Sequence, residues 1–418
     1  MADSSAERFC RHFLWELHRL GLPPEQMTRY AWKPYRPSDL RILGPERDRD
    51  LSALAFGPGE IERHLERARH DAGNATSTFA GADRLAFVLV PGFTHETLKN
   101  FSWHELIERR SSPHHLVMLH PGEHGEAVRE QVWSRGTGRR MAYVRYPRSN
   151  ADSQHIVGPF LSMLHASPTV RRWVTDEGRK LVFVGYSNGA PISLESLAGL
   201  NRGDHPDEWI LRNTVAFFGM CGDIGGSYLA DDVLRPDAQL LQIHKAIEFC
   251  RRHPFVARLA GMGTPQLLED MEGGVRALGH DVRQARIAEF APHLPAHLHY
   301  FSASAVLPLA DYRRRWWHFN LDDYAMWRQA RVTEPLTVFH DGQVALPDNL
   351  VPDAPQIPAT HRHHLGAVRT HHWGVAYRTF NQGTNRFPRD AFYRAALRTV
   401  VETLEMRLPL ESDAAAAA

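Results

Sequence analysis

Leu181-Val182-Phe183-Val184-Gly185-Tyr186-Ser187-Asn188-Gly189-Ala190-Pro191 is the stretch whose reading decides the fold. Leu181 to Val184 is an unbroken apolar run, short enough for a strand buried on both faces. A G-x-S-x-G pentapeptide follows at once, and Ala190 to Leu200 reads as a helix with Pro191 tolerated in its first turn. Passing from strand to helix within a few residues holds the central serine in a strained turn, and the flanking glycines keep Cβ atoms out of it. The Ser187 hydroxyl is then expected to point off the sheet beside the N–H groups of a helix N-terminus. The pentapeptide alone is weak, since chance gives it in roughly one chain in ten of this size. Its setting between a buried strand and a small-residue helix makes it a nucleophile elbow.

Working outward, the same alternation of strand and helix recurs. Leu85 to Val90 is a buried strand running into Pro91-Gly92-Phe93-Thr94-His95, and Leu116 to Leu119 and Met141 to Val144 read as strands before the elbow. Ile156 to Leu164 is a crossing helix, and Asn213 to Phe218 is the strand after the elbow helix. Such alternation predicts a parallel sheet with right-handed crossovers. Residues 222–296 interrupt it with helical patterns over Leu240 to Cys250 and Val275 to Phe290, divided at Gly261-Met262-Gly263 and Gly273-Gly274. Strand character resumes at His297 to Ser302, and the aromatic-rich Tyr312 to Trp327 follows as wall or cap. Leu336 to His340 reads as an apolar strand leading into Asp341-Gly342-Gln343-Val344. Leu365 to Arg369 reads as the last strand, followed by Thr370-His371-His372-Trp373.

In this order the segments resemble the α/β-hydrolase superfamily, and within it the lipase- and esterase-like members, over residues 85–405. The resemblance implies that Ser187 is the nucleophile, that His372 is the base and that Asp341 orients it. Asp348 and Asp353 are the competing carboxylates, expected in surface turns of a Pro-rich loop. His371 is the competing base, although the family's register favours His372 and makes His371 the polar residue before it. Two N–H groups, those of Phe93 and Asn188, are implied as the oxyanion hole. Pro91 stands where many relatives carry a histidine. The implied activity is hydrolysis of a carboxylic ester through an acyl-serine, without a cofactor and with a small ester or acyl compound as substrate. Thioester cleavage or acyl transfer by the same residues, a peptidase or amidase, and a binding protein on the same fold are the alternatives.

The domain reading is an N-terminal extension over 1–80 wrapping the core and a core over 81–221. A helical cap or lid over 222–296, the rest of the core over 297–410 and a tail over 411–418 follow. The extension holds a helix over 7–20, irregular chain over 30–58 and a polar helix from Gly59 to Ala72; Ala391 to Leu404 closes the core as a helix. A net charge of +1 gives no overall field for nucleic acid or an anionic membrane. No apolar run approaches a membrane span, the first residues lack a leader pattern, and three scattered cysteines fit a reducing compartment. A cytoplasmic location is therefore expected. The 26 histidines cluster at His114-His115, His361 to His364 and His371-His372 without any metal-binding spacing, so no metal is expected.

Overall fold

Seven short strands build one sheet, and the way each strand divides its side chains explains both layers around it. The computed structural model describes residues 4–39, 51–57, 59–74, 84–90, 92–93, 118–119, 140–144, 151–205, 208–240, 242–254, 265–312, 321–376 and 387–407. The strands are β1 (Leu85–Val90), β2 (Met118–Leu119), β3 (Arg140–Val144), β4 (Lys180–Tyr186), β5 (Thr214–Met220), β6 (His299–Ala305) and β7 (Arg362–Val368). Their order is β2-β3-β1-β4-β5-β6-β7, and every pairing is parallel. The strands therefore end on one edge, where catalytic and binding residues of such sheets collect.

Side chains alternate between two cores, as the two-residue period of a strand requires. Val182, Val184, Ala216, Phe218, Phe301 and Ala303 pack on one face against helix α1 (Ser5–Arg19) and the C-terminal helix Arg389–Arg407. Leu181, Phe183, Phe217 and Tyr300 pack on the other face against α2 (Gln154–Ala166) and α3 (Gly189–Arg202). With both faces covered, strand β4 needs apolar residues throughout, and this is why its run is unbroken.

Helix α1 is set by a capping box between Ser4 and Glu7, and buries Phe9, Phe13, Leu14 and Leu17. The chain after it lies along β7: Ala31 bridges Val368, the Arg369 N–H donates to the Tyr30 carbonyl, and the Trp32 indole donates to the Val306 carbonyl. The segment between β5 and β6 carries α4 (Tyr228–Leu234), α5 (Ile243–Arg252), α6 (Pro265–Ala277) and α7 (His280–Phe290). Helix α8 (Leu321–Thr333) follows β6.

Three sequence readings need correction. Leu336 to His340 is not a strand of the sheet; only His340 makes a bridge, to Ala345 in its own turn, and Leu336 is exposed. Gly273-Gly274 lies inside α6, and the break falls at Leu278-Gly279, between α6 and α7. Asp348 is buried rather than in a surface turn, as described below. Pro91, Thr94, His95, the break at Gly261-Met262-Gly263 and residues 411–418 lie outside the described residues.

Candidate active site

Strand β4 delivers Ser187 to the C-terminal edge of the sheet. Ser187 has φ +53°, a conformation that among the described non-glycine residues only Cys221 shares. The turn closes because no Cβ obstructs it. A Cβ on Gly185 would meet the Ala190 Cα at 2.5 Å, and one on Gly92 would meet the Ser187 Cβ at 2.8 Å. Gly92 and Phe93 thus lie against the serine, after β1. The Asn188 N–H, at the head of α3, has no partner among the described residues.

Asp341 and His372 meet across 31 residues of sequence. Asp341 is fully buried, and its Oδ1 accepts from the N–H groups of Gln343 at 2.9 Å and Val344 at 2.8 Å. Its Oδ2 lies 2.6 Å from Nδ1 of His372, and its carbonyl accepts from the His372 N–H at 2.8 Å. A carboxylate only accepts, so Nδ1 carries the proton and Nε2 presents its lone pair. That Nε2 is buried without a hydrogen-bond partner among the described residues. Burial opposes a charged imidazole here, but the carboxylates of Asp341 and Asp223 outweigh it and hold the pKa of His372 above its ordinary value. The Tyr186 hydroxyl donates to the His372 carbonyl at 3.1 Å and fixes the ring from below.

The competing residues are committed elsewhere. His371 Nε2 lies 3.0 Å from Asp323, and its Nδ1 accepts from the Gly374 N–H at 3.1 Å. Asp353 pairs with Arg362 at the surface. Asp348 sits with Asp231 on either side of His280, at 3.2 Å from Nε2 and 2.6 Å from Nδ1 respectively.

Ser187 and His372 open onto a cavity of about 490 Å³. One wall is apolar and comes from the segment between β5 and β6: Leu229, Ala230, Val233, Leu240, Val275 and Leu278. Arg328, Gln329, Gln343, Gly92 and Phe93 also line the cavity.

This architecture has a counterpart among solved structures. A metagenomic carboxyl esterase aligns over 96% of this chain and 92% of its own, with a TM-score of 0.54 and 18% identity. The α/β-hydrolase fold is thereby assigned. A mature lipase from Bacillus licheniformis aligns over 70% of this chain and 86% of its own, with a TM-score of 0.41 and 14% identity. The prodiginine-pathway thioesterase RedJ from Streptomyces coelicolor aligns over 77% and 92%, with a TM-score of 0.33 and 15% identity. No family model matches the chain, and no curated protein matches it by sequence.

One residue of the site escapes a sequence reading based on the α/β-hydrolase pattern. Asp223 follows β5 directly, and its Oδ2 accepts the Ser187 hydroxyl at 3.1 Å. Its own N–H donates to the Ser187 carbonyl at 3.2 Å. Burial raises its pKa to about 6; the charge of His372 opposes that rise and the charge of Asp341 adds to it. The signal available beforehand was position alone: β5 neighbours β4, so a residue just past its end stands beside the serine. Cys221 lies within 4.8 Å of both Asp341 and His372, and these three side chains are one group that could hold a metal ion. A cation there would have to break the Asp341–His372 hydrogen bond and ionise a thiol whose pKa burial holds well above the usual value. The group fits a hydrogen-bonded histidine–carboxylate pair better than a metal centre.

Proposed function

We propose that the protein is a serine hydrolase that cleaves a carboxylic ester through an acyl-serine. The observation that carries this reading is the unpartnered His372 Nε2, held as a lone-pair nitrogen by Asp341 and opening with Ser187 onto one cavity. In the proposed cycle Ser187 turns its hydroxyl from Asp223 to Nε2, which takes the proton as the oxygen attacks the ester carbonyl. Asp341 holds the tautomer and stabilises the imidazolium. The developing oxyanion lies between the N–H groups of Phe93 and Asn188. His372 then protonates the departing alkoxide, and water repeats the sequence on the acyl-serine. The carboxyl esterase that shares the fold is compatible with this chemistry, and the apolar lining suits an acyl chain.

A fluorophosphonate probe tests the reading. Stoichiometric adduct on Ser187 in the unaltered protein, absent from Ser187→Ala and strongly slowed in His372→Ala, is the expected result. Folded protein that neither reacts nor turns over a panel of graded acyl esters overturns it.

A further inference from the structure

We propose that Asp223 is a specificity-determining residue that selects esters carrying a hydroxyl group on the second carbon from the ester group, either the β-carbon of the acyl chain or its counterpart on the alkoxy side. The inference rests on the hydrolase reading above and names the substrate class of that same site.

The argument is an accounting of hydrogen bonds around one buried carboxylate. Asp223 is 5% exposed and lines the cavity. Among the described residues its Oδ1 is buried with no partner, and its Oδ2 holds a single side-chain donor, the Ser187 hydroxyl. Attack requires that hydroxyl to turn toward His372 Nε2, which strips Asp223 of its only side-chain donor. A carboxylate left bare in a dry site is costly. Here it would also stand beside the negative charge that develops on the ester oxygen. Among the described residues, two polar side chains of the cavity lining already give their protons elsewhere. The Ser227 hydroxyl donates to the Gln343 carbonyl at 2.7 Å, and the Gln343 amide donates to Gln329 at 2.7 Å. Arg283 donates from Nε to the Ile224 carbonyl at 3.1 Å and from Nη1 to Glu195 at 2.6 Å; its Nη2 makes no hydrogen bond among the described residues, and its charge acts on Asp223 without supplying a bond to either carboxylate oxygen. A substrate hydroxyl entering from the cavity supplies the donor that Asp223 lacks once Ser187 turns away. Arg328 on the cavity wall has no carboxylate partner among the described residues, and its charge favours a neutral hydroxyl over an ammonium.

The hydroxyl can sit on the acyl or on the alkoxy side of the ester. Two substrate pairs separate these: ethyl 3-hydroxybutyrate against ethyl butyrate, and glyceryl monobutyrate against propyl butyrate. In the unaltered enzyme the hydroxylated member of at least one pair is favoured in kcat/KM by roughly ten- to a hundred-fold, the worth of a hydrogen bond to a charged group. In Asp223→Ala the ratio collapses to about one. Asp223→Asn keeps the shape of the site and shrinks the ratio without abolishing it. The preference also weakens as pH falls through about 6, where Asp223 takes up its proton under the influence of His372, Asp341, Ser187 and Arg283. A merely structural role would change both members of a pair alike and leave the ratio alone. Equal kcat/KM within both pairs, or a preference that survives Asp223→Ala, overturns the proposal while ester turnover itself upholds the hydrolase reading. Turnover of none of the four esters, with no fluorophosphonate adduct, overturns both.

Discussion

Of the histidines held by carboxylates in this protein, His372 and His280 are held differently. His372 is 1% exposed, holds Asp341 on Nδ1 and leaves Nε2 empty over a cavity. His280 opens α7, is 20% exposed, and has a carboxylate on each nitrogen. Burial lowers the pKa of His280, but hydrogen bonds to Asp231 and Asp348 overcome it and lift it to about 9. A ring with both nitrogens filled stays charged near neutrality and fastens chain to chain; here it ties α4 and α7 to the turn holding Asp348. A ring with one nitrogen filled keeps a lone pair for transferring a proton. The number of nitrogens filled by carboxylates, more than proximity to one, separates the histidine proposed as the base from the one that joins segments of chain.

Exchanging each ring breaks the comparison most visibly. His372→Ala is expected to lower kcat by about 10⁵–10⁶ at unchanged thermal stability within a few degrees. His280→Gln is expected to leave kcat within a few-fold; the assay is steady-state turnover of a short acyl ester beside a thermal melt. Asp341→Asn comes next, with a loss on the order of 10⁴ in kcat, because the amide can stabilise the wrong tautomer.

The same substitution sharpens the comparison through pH. Only neutral His372 accepts a proton, so activity falls as pH drops through a midpoint above 6.5, the ordinary histidine value. Removing the Asp341 charge leaves burial unopposed on that side and moves the midpoint down in the residual pH profile. An unchanged midpoint would show that another group sets it.

The smallest expected effect is on stability. His280→Gln should cost about 1–3 kcal/mol in urea unfolding at neutral pH. Because the folded pKa of His280 is raised, its contribution is full below about 6.5, the unfolded value, and fades as pH rises through about 9. The gap between the unaltered protein and the variant should close over that range. A gap that is flat in pH would assign the effect to packing against Tyr228, whose ring lies 4.1 Å from His280.

How much of this was legible in the sequence depends on how local each feature is. The elbow was read in full because its strand, glycines and helix are contiguous. Asp341 was legible through its turn, Asp341-Gly342-Gln343-Val344, whose N–H groups cap the carboxylate. The preceding segment was not, since Leu336 to His340 has apolar composition without a strand neighbour, and composition alone does not reveal a partner. Gly273-Gly274 misled in the opposite direction: α6 absorbs a glycine pair that in isolation favours a break. Asp223 and the Asp231–His280–Asp348 clamp were invisible because each joins residues from separate segments, and no spacing encodes that. Among 26 histidines, only the folded chain shows which are held by carboxylates and on which nitrogens.

Cys221, strained at φ +46° and packed beside Asp341, carries a practical consequence. Its thiol is buried and kept protonated, and so is that of Cys10 on the buried face of helix α1, where burial pushes the pKa to about 12. Neither should react with an alkylating reagent until the chain around it opens. The two side chains are therefore built-in clocks: mass-resolved alkylation at Cys10 times the undocking of α1, and at Cys221 the opening of the sheet edge beside Ser187. Their relative rates would rank how firmly the first helix and the reactive edge are each held.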